Sequence, residues 1–177
     1  MRGLAFLLVS AAAITGLAAQ MSPAPGTPDQ PGAQTAAPYV TVKPAGYRDW
    51  KWIASAHEEG KLNSLGAVLG NSVAIKAFRE KTIPFPDGTI LAAVHYSAVL
   101  SEENDKIFGQ PQSIVPGAPT NVQFMVKDSK KYAATGGWGF GHFNPDGKSA
   151  DAAFMKPCYP CHAQFKAHDM VFTQYAP

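Results

Sequence analysis

The chain has two cysteines, three residues apart in the segment Cys-Tyr-Pro-Cys-His that runs from Cys158 to His162. A C-x-x-C-H segment is the attachment sequence of c-type haem. On one helical turn, both thiols reach the two vinyl groups at one edge of a porphyrin, and the next residue points its imidazole at the iron. The segment therefore predicts one haem c, bound covalently through Cys158 and Cys161 and ligated by His162.

Three other uses of paired cysteines compete with haem attachment. A thioredoxin-like redox pair opens a helix inside a βαβ unit, and no such unit is visible in this sequence. A structural zinc site needs four ligands, and the chain has no second Cys/His pair with suitable spacing. A plain disulfide would leave His162 without a role. Haem attachment is therefore the preferred interpretation.

The N-terminal segment has the composition of an export signal. A positive start, Met1-Arg2, is followed by an apolar run and then by small residues before Gln20, as in a cleaved signal peptide. The run is shorter than the roughly 20 residues that span a bilayer, so we expect no membrane span. Residues 21–38 are rich in Pro, Ala, Gly and Thr, which predicts a disordered linker. The expected organisation is a signal peptide (1–20), this linker and a folded domain (39–177) in the periplasm or outside the cell.

Composition narrows the class of protein and of partner. Hydrophobic residues make up 46% of the 177 residues and charged residues 16%, as in a globular domain. The formal net charge is only +2, which gives no electrostatic reason to expect binding to nucleic acid or to an anionic membrane.

The pattern along the domain predicts an α+β fold, with an antiparallel sheet and a few short helices. The predicted strands are 52–55, 62–69, 89–99, 121–126, 137–143 and 170–175. Asn71 is the predicted N-cap of a helix to about Lys81, and further helical segments are predicted at 47–52, 129–133, 150–155 and 158–168. Segments 57–61 and 101–119 are predicted as loops, and 84–88 as a turn.

The position of the haem motif argues against two common kinds of cytochrome c. Small electron-transfer cytochromes carry the motif early and take an axial methionine from a long downstream segment, whereas here only Met170 follows it. Four-helix cytochromes c′ carry the motif late, but most of this chain lacks their helical periodicity. A β-rich chain with a C-terminal haem motif belongs to neither kind.

Several sequence blocks in a fixed order identify a third kind. The chain resembles the cytochrome P-460 family, which includes cytochrome c′-beta, over roughly Tyr47 to Pro177. The matching blocks are Tyr47-Arg-Asp-Trp50, Phe85-Pro-Asp-Gly-Thr89, Val126 to Tyr132 running into Gly137-Trp138, and Cys158 to His162 followed by Asp169 to Thr173. The resemblance implies a five-stranded antiparallel sheet, a homodimer, and a five-coordinate haem whose open face meets the sheet. It also implies a small nitrogenous ligand, because the family's enzymes oxidise hydroxylamine and its c′-beta members bind nitric oxide.

One departure from the family pattern favours the c′-beta branch. In the hydroxylamine-oxidising members, a lysine on the strand after the Asp-Gly-Thr turn is bonded to the porphyrin. Alignment by eye places that lysine at Ala93, and segment 89–99 contains no lysine. Side chains alternate along a strand, so Ala93 and His95 share a face about 7 Å apart. Ala93, His95 and Phe140 are the predicted distal pocket, with His95 as a proton donor, a sixth ligand or a purely structural histidine.

Three functions remain open at this point. The first is a periplasmic mono-haem protein that binds nitric oxide or a related nitrogen species at an open haem face. The second is a hydroxylamine or nitric oxide oxidoreductase that passes electrons to a redox partner protein. The third is a six-coordinate electron carrier, for which His95, Met125 and Met155 are the nominal sixth ligands. No catalytic residue is predicted.

Overall fold

The computed structural model describes residues 37–176. The predicted signal peptide, and all but the last two residues of the predicted linker, lie outside this range. Within this range, five antiparallel strands form one sheet in the order β1-β2-β3-β4-β5, so each strand pairs with its neighbour in sequence. The strands are β1 (Lys51–Glu58), β2 (Ser64–Gly70), β3 (Ile90–Leu100), β4 (Ile114–Lys127) and β5 (Trp138–Phe143). The predicted α+β class and the five-stranded sheet implied by the resemblance are both confirmed.

In the part of the chain that the structure describes, four short α-helices accompany the sheet. They are α1 (Ser72–Glu80), α2 (Glu102–Phe108), α3 (Ala152–Met155) and α4 (Cys158–His162), and 3₁₀ turns cover Tyr47–Asp49, Ala133–Thr135 and Ala163–His168. Within residues 37–176, no helix has the length and apolar character needed to cross a membrane.

The sheet buries apolar side chains on both faces because its strands alternate. On one face, Ala92 and Val94 of β3 pack with Phe124 and Phe143. On the other face, Leu91 belongs to a larger cluster with residues of α1 and of the C-terminal segment: Ile53, Ala74, Ile75, Ala77, Phe85, Trp138, Phe140, Met170 and Val171. Cys158 of α4 packs against this second cluster, so the haem motif lies on the Leu91 face.

Helix α1 forms where the sequence predicts it. The Asn71 side chain accepts a hydrogen bond from the Ala74 N–H at 2.9 Å, which caps the first turn. Lys81, in the left-handed conformation with φ 54°, ends the helix. The buried residues Ala74, Ile75 and Ala77 lie on the side that contacts the sheet.

The predicted loop at 101–119 is wrong. Ser101 accepts a hydrogen bond from the Asn104 N–H at 3.3 Å and starts helix α2, and β4 begins at Ile114. Three prolines and two glycines make this stretch resemble a loop, but Pro116 and Pro119 pair with β3 where the register shifts. Prolines are tolerated at such bulges because the regular ladder is interrupted there.

Three smaller predictions are also corrected. β1 continues to Glu58, so the first residues of segment 57–61 belong to a strand. The helical turn expected at 129–133 lies at Ala133–Thr135. Residues 170–175 form no strand, although their burial partly alternates, because they run across the Leu91 face. One side of this tail meets the sheet and the other meets solvent, which gives strand-like periodicity without a ladder partner.

Candidate functional site

His162 is held with one ring nitrogen bonded and the other free. Its Nδ1 lies 2.8 Å from the Met170 carbonyl oxygen, which can only accept, so Nδ1 carries the proton. Nε2 then keeps its lone pair for a metal, which is the usual arrangement of a ligating histidine. Burial lowers the pKa of His162, against the smaller opposing effect of the Met170 bond. The imidazole is therefore held in its neutral, metal-binding form.

The two cysteines flank one turn of α4 as free thiols. Cys158 is half-buried and lines a cavity beside His162, whereas Cys161 is exposed. Burial raises the pKa of the Cys158 thiol. The sequence prediction that Cys158, Cys161 and His162 share one helical turn agrees with this geometry.

A cavity of about 540 Å³ lies between α4, the C-terminal tail and the sheet. This volume falls within the roughly 300–1,000 Å³ of small-molecule and cofactor sites. Cys158 and His162 line one side and residues 171–176 another, and the sheet forms the remaining wall.

The sheet wall consists of rows of side chains that the strand register fixes. The Leu91 row holds Leu91, Met125 and Phe140; the Ala93 row holds Ala54, Val68, Ala93, Gln123 and His142; the His95 row holds Ala56, Gly66, His95 and Asn121. Neighbouring rows are about 7 Å apart, two residues along each strand. The wall changes from apolar in the Leu91 row to polar in the His95 row.

The predicted pocket residues Ala93, His95 and Phe140 all line this one cavity. Phe140 lies beside the motif, with its ring centroid 5.0 Å from that of His162. Phe172 of the tail flanks the same imidazole at 4.8 Å. Ala93 and His95 lie one and two rows further along the sheet.

His95 belongs to a polar cluster at the far end of the cavity. Its Nδ1 lies 3.1 Å from the Asn121 amide oxygen and donates to it, which leaves Nε2 as the acceptor nitrogen. That Nε2 is 3.7 Å from Glu58 Oε1, and the other carboxylate oxygen of Glu58 accepts the Ser64 hydroxyl at 2.7 Å. Nearby, burial lowers the pKa of His142, and His95 adds a smaller effect in the same direction.

Signals in the sequence for the residues around His95 are weak. Gln123 alternates with Asn121 on a predicted strand, so a shared face could be inferred for those two. Glu58 lies in a predicted loop, and only the register of β1, β2 and β3 brings it beside His95. The two other nominal sixth ligands differ in position: Met125 lines the cavity, whereas the buried Met155 does not.

The residues present fit a covalently attached haem. Two free thiols and a neutral imidazole with an available Nε2 lie on one turn, and two of the three residues line a cofactor-sized cavity. In residues 37–176, no group of three or more His, Cys, Asp or Glu side chains is placed to hold a metal ion. The donor set thus suits an iron held mainly by a porphyrin, not a metal held by side chains alone.

Comparison with known proteins agrees with this chemistry. The family model described as Cytochrome P460 matches residues 44–173, which is most of the chain. No curated protein matches the chain.

Proposed function

Because the chain belongs to the cytochrome P460 family and is a haem c cytochrome of that kind, we propose that it carries one covalent haem and binds nitric oxide, or a related small nitrogen species, at an open haem face. Cys158 and Cys161 would form the thioether links, and His162 Nε2 would be the axial ligand. The haem, when bound, supplies an iron that takes up small diatomic ligands.

The observation that carries this proposal is the composition of the sheet wall around Ala93. The Ala93 row places three small or medium apolar side chains on the cavity, those of Ala54, Val68 and Ala93. None of the described residues that line the cavity is a lysine. The wall thus leaves space for a diatomic ligand and offers no amine for the crosslink of the hydroxylamine-oxidising relatives.

A second candidate function is oxidation of hydroxylamine or nitric oxide, and the polar cluster favours it. His95 Nε2 and the Glu58 carboxylate, 3.7 Å apart, are two proton-accepting groups on the cavity wall. Such a pair can exchange protons with a substrate that carries N–H or O–H groups. Electrons would then leave to a redox partner protein. Turnover of hydroxylamine with an artificial electron acceptor distinguishes this function from ligand binding alone.

Location and assembly complete the proposal. The N-terminal sequence supports export to the periplasm with cleavage of a signal peptide, and the resemblance supports a homodimer. Mass spectrometry of the mature protein and its sedimentation in solution test these two points.

Titration of the ferrous holoprotein with nitric oxide, followed by absorption, tests the ligand-binding function. We expect saturable binding, and we expect Ala93→Leu to weaken it about tenfold because overfilling a packed wall costs roughly 1–3 kcal/mol. Ala67→Leu is the matched control, since Ala67 packs with the cluster on the opposite face of the sheet.

Two results would contradict the proposal. One is a ferrous protein that does not bind nitric oxide. The other is equal weakening by Ala93→Leu and Ala67→Leu, since the cavity face would then have no special role.

A further inference from the structure

The hydrogen bond that orients His162 depends on an unusual backbone turn. Its acceptor, the Met170 carbonyl, follows two consecutive non-glycine residues in the left-handed conformation, Asp169 with φ 49° and Met170 with φ 65°. Each such residue costs about 1–2 kcal/mol. A strained turn of this kind persists only where surrounding contacts determine it.

A buried ion pair supplies those contacts. Lys127 Nζ donates to both Asp169 carboxylate oxygens at 2.9 Å, and the two side chains are only 7% and 10% exposed. Asp169 also accepts the Phe85 N–H at 2.8 Å, and Lys127 also donates to the Gly136 carbonyl at 3.0 Å. The turn is thus tied to the last residue of β4 and to the two loops beside it.

Met170 itself is fixed from a second side. Its side chain is buried and reaches Gly136 so closely that a Cβ at that position would lie 2.2 Å from the Met170 terminal methyl carbon. Gly136, which accepts from Lys127 through its carbonyl, therefore also receives the Met170 side chain. Lys127 and Gly136 thus hold both the Asp169 carboxylate and the Met170 side chain, on either side of the backbone that leads to the Met170 carbonyl.

We propose that the Lys127–Asp169 pair is a positioning pair for the proximal ligand, which acts through the Met170 carbonyl to set the orientation and basicity of His162. This inference rests on the proposed function, in which His162 ligates the haem iron. A buried ion pair is weak evidence for stability, and in some proteins it instead selects one geometry. The bond from Nδ1–H to a carbonyl raises the basicity of the ligating Nε2, and a more basic ligand favours the ferric state.

The test compares holoprotein variants by two spectroscopic quantities. Asp169→Asn weakens the contact with Lys127 while keeping an oxygen for the Phe85 N–H. We expect the iron–histidine stretching band of the ferrous protein to shift to lower frequency and the reduction potential to shift upward. Asp146→Asn is the matched control, because Asp146 pairs with Lys148 at 3.2 Å on an exposed turn.

A second variant keeps the test valid if Asp169→Asn does not fold. Asp169→Asn leaves the Lys127 charge buried, whereas Lys127→Met/Asp169→Asn removes both charges together. The double variant should show the same two shifts. If either folded variant loses thermal stability while band and potential stay unchanged, the pair is merely structural and the proposal is wrong.

The outcome also separates this inference from the proposed function. A wild-type protein without an iron–histidine band would contradict the role of His162 itself. A wild-type band that does not move in either variant would contradict only the role of Lys127 and Asp169.

Discussion

The two nitrogens of His162 have different partners, and this division is the residue-scale basis of the site. Nδ1 is committed to the Met170 carbonyl, so Nε2 is available to iron without a competing proton. The adjacent rings of Phe140 and Phe172 limit the orientations of the imidazole. These surroundings hold the side chain in the form that the proposed axial ligation needs.

His142 gives a pH-dependent prediction at the same scale. Burial, with a smaller effect of His95, lowers the pKa of His142. In the unfolded chain, this histidine binds a proton below its ordinary pKa of about 6.5, whereas in the folded protein it stays neutral to a lower pH. Stability should therefore fall as the pH falls through 6.5, until the pH reaches the pKa in the folded protein. We expect His142→Gln to reduce this slope, as measured by urea unfolding of the holoprotein between pH 7.5 and 5.5.

The exposed His57 provides the control for that measurement. His57→Gln also removes one histidine but leaves the cavity unchanged. Identical slopes in the wild type and His142→Gln would contradict the assigned effect of burial.

At the scale of elements, the N-cap of α1 allows a prediction about what holds this helix beside the sheet. Asn71 accepts from the Ala74 N–H and donates to the Gly88 carbonyl at 2.8 Å, so one side chain ties the helix start to the turn before β3. Asn71→Ala should cost about 1–2 kcal/mol of unfolding free energy, the upper part of the range for a lost N-cap.

Ser101→Ala is the matched control for Asn71→Ala. Ser101 caps α2, which buries no residue, so its loss should cost less than the loss of Asn71. Equal costs in chemical denaturation would show that the tie to Gly88 contributes nothing.

The elements also differ in how far the sequence predicts them. The α1 cap, the turn at 84–88 and most of the strands rest on local signals, and those predictions are confirmed. The sequence pattern at 170–175 resembles that of a strand because a segment lying across a sheet face alternates in burial as a strand does. Pro116 and Pro119 indicated a loop because their bulged partner on β3 is invisible locally.

Parts of the site were unpredictable for a related reason. The haem motif is local, so its spacing alone predicts the roles of Cys158, Cys161 and His162. Glu58 reaches His95 only through the register of three strands, and Lys127 meets Asp169 only after the C-terminal turn forms. Contacts between distant segments leave no periodic pattern in the sequence.

At the scale of the whole molecule, the site in residues 37–176 is a cavity between the proposed haem-attachment segment, Cys158–His162, and a sheet wall that changes from apolar to polar. Helix α4 and the tail form one side, and the sheet supplies rows that run from apolar at Phe140 to polar at His95. In the proposed function, the haem is attached and ligated on the α4 side, and the sheet side is left for a small ligand. Membership of the cytochrome P460 family supports a haem c cytochrome.

The most direct test of the central claim is one absorption spectrum of the ferrous holoprotein without added ligand. If His162 is the only axial protein ligand and the other face is open, the spectrum will be that of a five-coordinate, high-spin haem c with one broad visible band. Sharp, resolved α and β bands of a low-spin, six-coordinate haem would show that a side chain such as His95 or Met125 closes the face, and would contradict the proposed ligand-binding function.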